Sequence, residues 1–126
     1  MNGSKLFIDT NICIYLLDGD TNIAELLNDR YIYISIITEI ELYAYHSTNE
    51  KANRALDKFI NAVNIINIDK SIKEHSIKIR KFNKLKVPDT IIAASALALQ
   101  LPLLSADKAF KRIEDLDLMF YEPFTT

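Results

Sequence analysis

The sequence predicts an α/β fold in which helices cover a mostly parallel sheet on both faces. Three observations predict it. Short runs of β-branched, aromatic and other apolar residues alternate along the chain with longer stretches of helical periodicity. The first run, Leu6-Phe7-Ile8, is apolar without alternation, as a strand buried on both faces requires. With two glycines and three prolines in 126 residues, no stretch reads as a linker, a repeat or a low-complexity segment.

After that first strand, Asn22-Ile23-Ala24-Glu25 has capping-box spacing and leads into Leu26 and Leu27, which predicts a short helix to about residue 28. Residues 31–36 are aromatic and β-branched and predict a second strand. Helical patterning spans about residues 38–45 and 49–61, and the alternation over 63–68 predicts a third strand. Residues 70–86 form a polar helix with an apolar stripe of Ile72, Ile79, Phe82 and Leu85, expected to run until Pro88 stops it. Residues 90–100 are nearly all apolar and rich in alanine, so a buried helix should pack closely on the sheet. A strand at 102–105, a short helix at 109–113 and a last strand near 118–121 complete the pattern.

At 14.4 kDa, residues 1–126 are expected to form one domain, and 49% hydrophobic with 25% charged residues reads as an ordinary globular protein. The net charge of −2 gives no global sign of nucleic-acid binding, so any basic surface must be local. The lone Cys13 excludes an internal disulfide and a zinc–thiolate site, and reads as a small core residue. A reducing, cytoplasmic setting is expected. The start of the chain is not expected to be a signal peptide. The apolar stretch 91–104, broken by Ser95, Gln100 and Pro102, is too short for the roughly 20 residues that cross a bilayer. His46 and His75 are isolated and read as surface or partly packed residues. The absence of a glycine-rich phosphate loop removes nucleotide-binding readings.

Chemistry concentrates in four acids that follow or lie inside apolar stretches: Asp9, Glu41, Asp89 and Asp107. A carboxylate beside a buried segment is costly unless it is paired or holds a cation, so four such places suggest one shared pocket for a hard divalent metal. Asp9 and Asp107 sit just past predicted strands, where open parallel sheets place their sites. Asp89 falls near a helix start and reads equally as a ligand or as a cap. Ile37, Ile40, Glu41 and Ala44 share one helical face, which places Glu41 in a buried stripe and Glu39 outside it. A capping box Thr38-x-x-Glu41 uses the same spacing. Thr10, Asn11 and Ser105 adjoin these acids and could orient them, or could serve only local turns. Asp18, Asp20, Asp115 and Asp117 fall in polar loops and read as solvated.

Residues 70–86 carry Lys70, Lys73, Lys78, Arg80, Lys81, Lys84 and Lys86 against Glu74 alone. Such a stretch is either a solvated helix face or a surface that gathers the phosphates of a polyanion beside the acidic pocket, with Lys78, Arg80, Lys81 and Lys84 as the candidate contacts. Tyr31, Tyr33, Tyr43 and Tyr45 could stack on bases. Tyr15, Leu16, Tyr43 and Tyr45 suit a protein contact.

The segments Phe7-Ile8-Asp9-Thr10-Asn11 and Ile37-Thr38-Glu39-Ile40-Glu41-Leu42 resemble the first two motifs of PIN domains. Val87-Pro88-Asp89-Thr90-Ile91-Ile92-Ala93-Ala94 and Leu103-Leu104-Ser105-Ala106-Asp107 resemble the other two, and the length is similar to VapC-type toxins of bacterial toxin–antitoxin pairs. The resemblance covers essentially the whole chain. It implies a PIN-like α/β/α sandwich with a five-stranded sheet in order 3-2-1-4-5, and RNA cleavage dependent on Mg²⁺ or Mn²⁺. It further implies a homodimer and inhibition by a cognate antitoxin.

In the family's terms Asp9, Glu41, Asp89 and Asp107 fill the four acidic positions, with Thr10, Asn11 and Ser105 at polar positions beside them. Asp9, with Asp89 or Asp107, is expected to hold the metal, and Glu41 to orient or deprotonate the attacking water. The glycine that often closes the second motif is replaced by Ala44-Tyr45, which bears on local helix geometry. Two other readings stand beside this one: a receiver-like phosphoacceptor domain, which would want adjacent acids after the first strand, and a non-catalytic binding module whose acids only cap helices.

Overall fold

The computed structural model of the protein describes residues 4–45 and 49–123, so the readings of the first three residues and of His46 fall outside it. Strand β1 (Lys5–Ile8) is the centre of the fold, and its apolar residues are fully buried. It pairs in parallel with β2 (Tyr31–Ser35) on one side and with β4 (Leu103–Ser105) on the other. The outer strands β3 (Asn64–Ile66) and β5 (Leu118–Phe120) are parallel too, giving the order β3-β2-β1-β4-β5. This is a three-layer α/β/α sandwich with the strand order the resemblance implied.

Successive strand residues face opposite ways, so β1 feeds two cores. Phe7 points into a core built with α5 (Lys70–Phe82) and α6 (Val87–Leu99), where Ala93, Ala94 and Ala96 let α6 lie close on the sheet. Leu6 and Ile8 point into the other core. That core is covered by α1 (Thr10–Leu17), α2 (Thr21–Leu27), α3 (Ile36–Ala44) and α4 (Glu50–Ala62).

Several expectations need correction. Helix α1 was not predicted: residues 12–17 are apolar throughout and show no helical alternation, yet Asp9 caps their first turn. The cap of α2 is Asp20, whose carboxylate accepts from the Ile23 amide at 3.1 Å, and not Asn22. Helix α5 ends at Phe82, so Phe82 leaves the expected stripe and is 78% exposed. Pro88 does not end α5. It lies in the first turn of α6, where its missing N–H costs little. The segment at 108–112 is a 3₁₀ helix, Lys108–Arg112, tighter than the α-helical turn expected.

Because Ala94 is fully buried against the sheet, Ala94→Leu must overpack that layer. The expected cost is about 1–3 kcal/mol in urea unfolding. A change within error would show that α6 is not closely seated.

Candidate active site

The strand order reverses at β1, since the chain steps outward through β2 and β3 and then returns to the opposite side for β4 and β5. A crevice opens at the carboxyl ends of the strands at such a reversal. Asp9 follows β1 there, and its amide is bonded to the Leu104 carbonyl at 3.2 Å. Asp107 lies two residues beyond β4. Ser35 ends β2 and caps α3 through the Ile37 amide at 3.0 Å, which launches Glu41 toward the same crevice. Asp89 enters from the first turn of α6. The four acids, with Thr10 and Asn11, line one open pocket of about 440 Å³.

Asp9 is the most enclosed member, at 4% exposure. One oxygen accepts from the Ile12 amide at 3.0 Å, and the other accepts the Ser105 hydroxyl. Burial nevertheless pushes its carboxyl from the usual 3.8 up to about 6. Those two hydrogen bonds oppose the rise, and the charges of Asp89 and Asp107 add to it. The Asp89 carboxyl is also raised, by burial first and then by the charges of Asp107 and Glu41, with Lys86 opposing. Repulsion thus links all four acids. Among the described residues, no ion pair engages any of them.

Two of the acids do cap helices. Asp9 caps α1, and Asp107 accepts from the Ala109 amide at 2.9 Å to cap the 3₁₀ helix. Asp89 does not cap: the N-cap position of α6 is Lys86, which makes no side-chain cap bond. Glu41 does not belong to a capping box either, since Ser35 is the N-cap of α3 and Thr38 lies inside the helix. The expected buried stripe on α3 is also wrong. Thr38 and Leu42 are the buried residues, while Ile40 is 59% exposed and Glu41 is exposed to the pocket. Glu41 is held by a hydrogen bond from the Thr10 hydroxyl at 2.7 Å.

Ser105 is fully buried and ties two acids together, donating to Asp9 and accepting from the Asp107 amide at 3.0 Å. Asn11 is exposed at the pocket edge. The residue that sequence reasoning undervalued is Thr38, whose hydroxyl lies 3.0 Å from that of Thr10. Its spacing of three from Glu41 places both on one helical face, a signal that was read only as a capping box. Asp18, Asp20, Asp115 and Asp117 lie outside the pocket, although Asp20 accepts a bond from Tyr121 at 3.0 Å and is no loose solvated acid. His75 is half-buried and bonded to the Ser71 carbonyl, and Cys13 is a buried core residue.

The basic stretch borders two separate grooves. Lys78 borders a groove with Phe82 and Arg112, whereas Lys81 borders another with Ile77 and Val87. The Arg80 guanidinium bonds the Leu85 carbonyl and so braces the turn between α5 and α6. Lys78, Arg80, Lys81 and Lys84 do not line the acidic pocket.

The donor chemistry of the pocket fits a hard divalent cation: the candidate ligands Asp9, Asp89 and Asp107 all offer carboxylate oxygen, and neither histidine nor thiolate lines the pocket. Among the described residues no three His, Cys, Asp or Glu side chains are grouped so that they could hold a metal ion together. An open carboxylate rim suits an ion that keeps several of its waters.

Comparison with known proteins agrees with this architecture. The PIN domain family model matches residues 6–116. The chain is similar to one in a toxin–antitoxin complex from Klebsiella pneumoniae, with 31% identity over 94% of this chain and 99% of that one, at a TM-score of 0.81. It is also similar to a chain of VapBC2 from Rickettsia felis bound to a promoter DNA fragment (29% identity, 94% and 99% coverage, TM-score 0.79). A third likeness is to VapBC-1 from nontypeable Haemophilus influenzae (30% identity, 92% and 97% coverage, TM-score 0.74). No curated protein matches the sequence. The chain belongs to the PIN-domain family.

Because the folded-state carboxyl of Asp9 titrates above its unfolded value, its contribution to stability is fully present below about pH 4 and is lost as pH rises through about 6. Asp9→Asn keeps the shape and removes the charge. In chelator, its stability relative to wild type should rise from near zero at pH 4 to on the order of 3 kcal/mol at pH 8 by urea unfolding. A difference that stays flat with pH would contradict the enclosed, self-repelling pocket.

Proposed function

We propose that the chain is a divalent-metal-dependent endoribonuclease, acting as the toxin of a toxin–antitoxin pair in the cytoplasm, with residues 1–126 as one nuclease unit. The observation that carries this reading is the gathering of four mutually repelling carboxylates, from four separate parts of the chain, around one open pocket. A binding module whose acids only cap helices leaves Asp89 and Glu41 unexplained. The receiver-like alternative gains nothing: Asp69, beyond edge strand β3, is occupied in capping α5 through the Ile72 amide at 2.8 Å.

Asp9, with Asp89 or Asp107, would hold Mg²⁺ or Mn²⁺ and leave much of its shell to water. When bound, such an ion polarises a phosphodiester and makes water a better nucleophile. Ser105 keeps Asp9 and Asp107 in fixed relation, so the pocket is organised before the ion arrives. Glu41, held by the Thr10 hydroxyl, would orient a water and take its proton as the phosphate is attacked. Asn11 at the edge can hydrogen-bond a phosphate oxygen or a base.

Partners follow from the surface. A groove lined by Ile14, Leu17, Leu42 and Leu56 adjoins the acidic pocket, and Ile14 and Tyr45 line both. An antitoxin segment in that groove would carry its tail over the acids, where an arginine could pair with Asp9 or Asp107 and compete with the ion. For homodimerisation, Tyr15 and Leu16 are half-buried against the core, Tyr15 beside Tyr121. Exposed Ile68, Ile77 and Val87 offer a better face.

Purified protein should cleave RNA with Mg²⁺ or Mn²⁺ and lose activity in chelator. Asp9→Asn and Asp89→Asn should each remove most of it while folding normally. Full activity in chelator would overturn the reading. Replacing Lys78, Arg80, Lys81 and Lys84 together with Gln should weaken RNA binding and flatten its salt dependence, and an unchanged slope would assign them to a solvated face.

A further inference from the structure

Glu41 is exposed, so packing does not fix its long side chain; its recorded anchor is the Thr10 hydroxyl at 2.7 Å. A carboxylate accepts and a hydroxyl has a single hydrogen, so the Thr10 hydrogen is committed to Glu41. The hydroxyls of Thr10 and Thr38 lie 3.0 Å apart, and the remaining donor between them is Thr38. The bonds therefore run one way, from Thr38 to Thr10 to Glu41. Thr38 is fully buried, so water does not compete for its hydroxyl and the bond is strengthened by its surroundings.

Thr38 sits in the first turn of α3, where no carbonyl of its own helix lies four residues back. Ser76, Thr90 and Ser95 each donate to the carbonyl four residues back in their own helix, at 2.8, 2.9 and 2.7 Å. Thr38 instead reaches from α3 to α1, the helix that Asp9 caps.

We propose that Thr38 is a positioning residue of the acidic site: its buried hydroxyl sets the direction of the Thr10–Glu41 bond and holds the Glu41 carboxylate over the pocket. The proposal deepens the nuclease reading and rests on it for its kinetic consequences. Removing the hydroxyl in Thr38→Val leaves Thr10 free to turn, to donate to water and to release Glu41. The chemical step should suffer and substrate binding should not.

The test has two readouts. In RNA cleavage, Thr38→Val should lower kcat roughly 10- to 100-fold with KM unchanged, in the range usual for residues that orient a ligand or base. Thr38→Ser should recover most of the loss, and in a Glu41→Ala background Thr38→Val should cost nothing further. An additive loss in that background, or no loss alone, overturns the proposal, because a purely structural pin between α1 and α3 has no reason to act through Glu41. Independently of cleavage, NMR three-bond couplings should give Thr10 one side-chain rotamer in wild type and Thr38→Ser, and an averaged one in Thr38→Val. A fixed Thr10 in Thr38→Val also overturns it. Should Thr38→Val fold poorly, Thr38→Ala provides the same comparison. A wild type that cleaves no RNA refutes the nuclease reading, while the couplings still decide the role of Thr38.

Discussion

The carboxylate of Asp9, sealed at the end of the central strand, is the constraint around which this molecule is arranged. An acid at 4% exposure would ordinarily be paired with a cation, and here it is surrounded by further acids. The fold compensates only in part. The Ile12 amide and the Ser105 hydroxyl bond both oxygens, yet the carboxyl remains raised to about 6. The remaining cost is carried by the rest of the structure, through two apolar cores on opposite faces of β1. Charge is gathered in this pocket at a cost in stability, the pattern expected where a site is organised before its ligand binds.

Topology makes that concentration possible. Reversal of strand order at β1 brings the ends of β1, β2 and β4 to one edge, and the α6 start joins them. Each acid is then fixed by a different device: a helix cap and a hydroxyl for Asp9, a 3₁₀ cap for Asp107, a helix start for Asp89 and a threonine bond for Glu41. Ser105 and the Thr38–Thr10 pair make a polar lattice beneath the carboxylates. Loss of a lattice hydroxyl should therefore disturb the placement of the acids more than the fold.

Much of this was legible in the sequence, for physical reasons. An uninterrupted apolar run ending in an acid, as at Leu6-Phe7-Ile8-Asp9, marks a central strand opening into a site, and the alanines of 90–100 mark a helix lying close on a sheet. What failed was phase and extent. Helix α1 is apolar on nearly every side, so no periodicity announced it. On α3 the apolar Ile37 and Ile40 suggested the wrong inner face, because the true one buries Thr38 through a tertiary hydrogen bond. Pro88 was read as a stop although proline is equally at home in a first turn. The basic stretch showed its charge in sequence, but not that Arg80 would be occupied with the Leu85 carbonyl.

The central claim is that these four acids form one divalent-cation site. The most direct measurement is a crystal of the wild-type protein soaked in Mn²⁺, with the ion located by anomalous scattering. A peak is expected in the pocket within coordinating distance of Asp9 and of Asp89 or Asp107, absent from Asp9→Asn crystals soaked alike. A pocket without Mn²⁺ in wild-type crystals, or a peak that persists unchanged in Asp9→Asn, would contradict it.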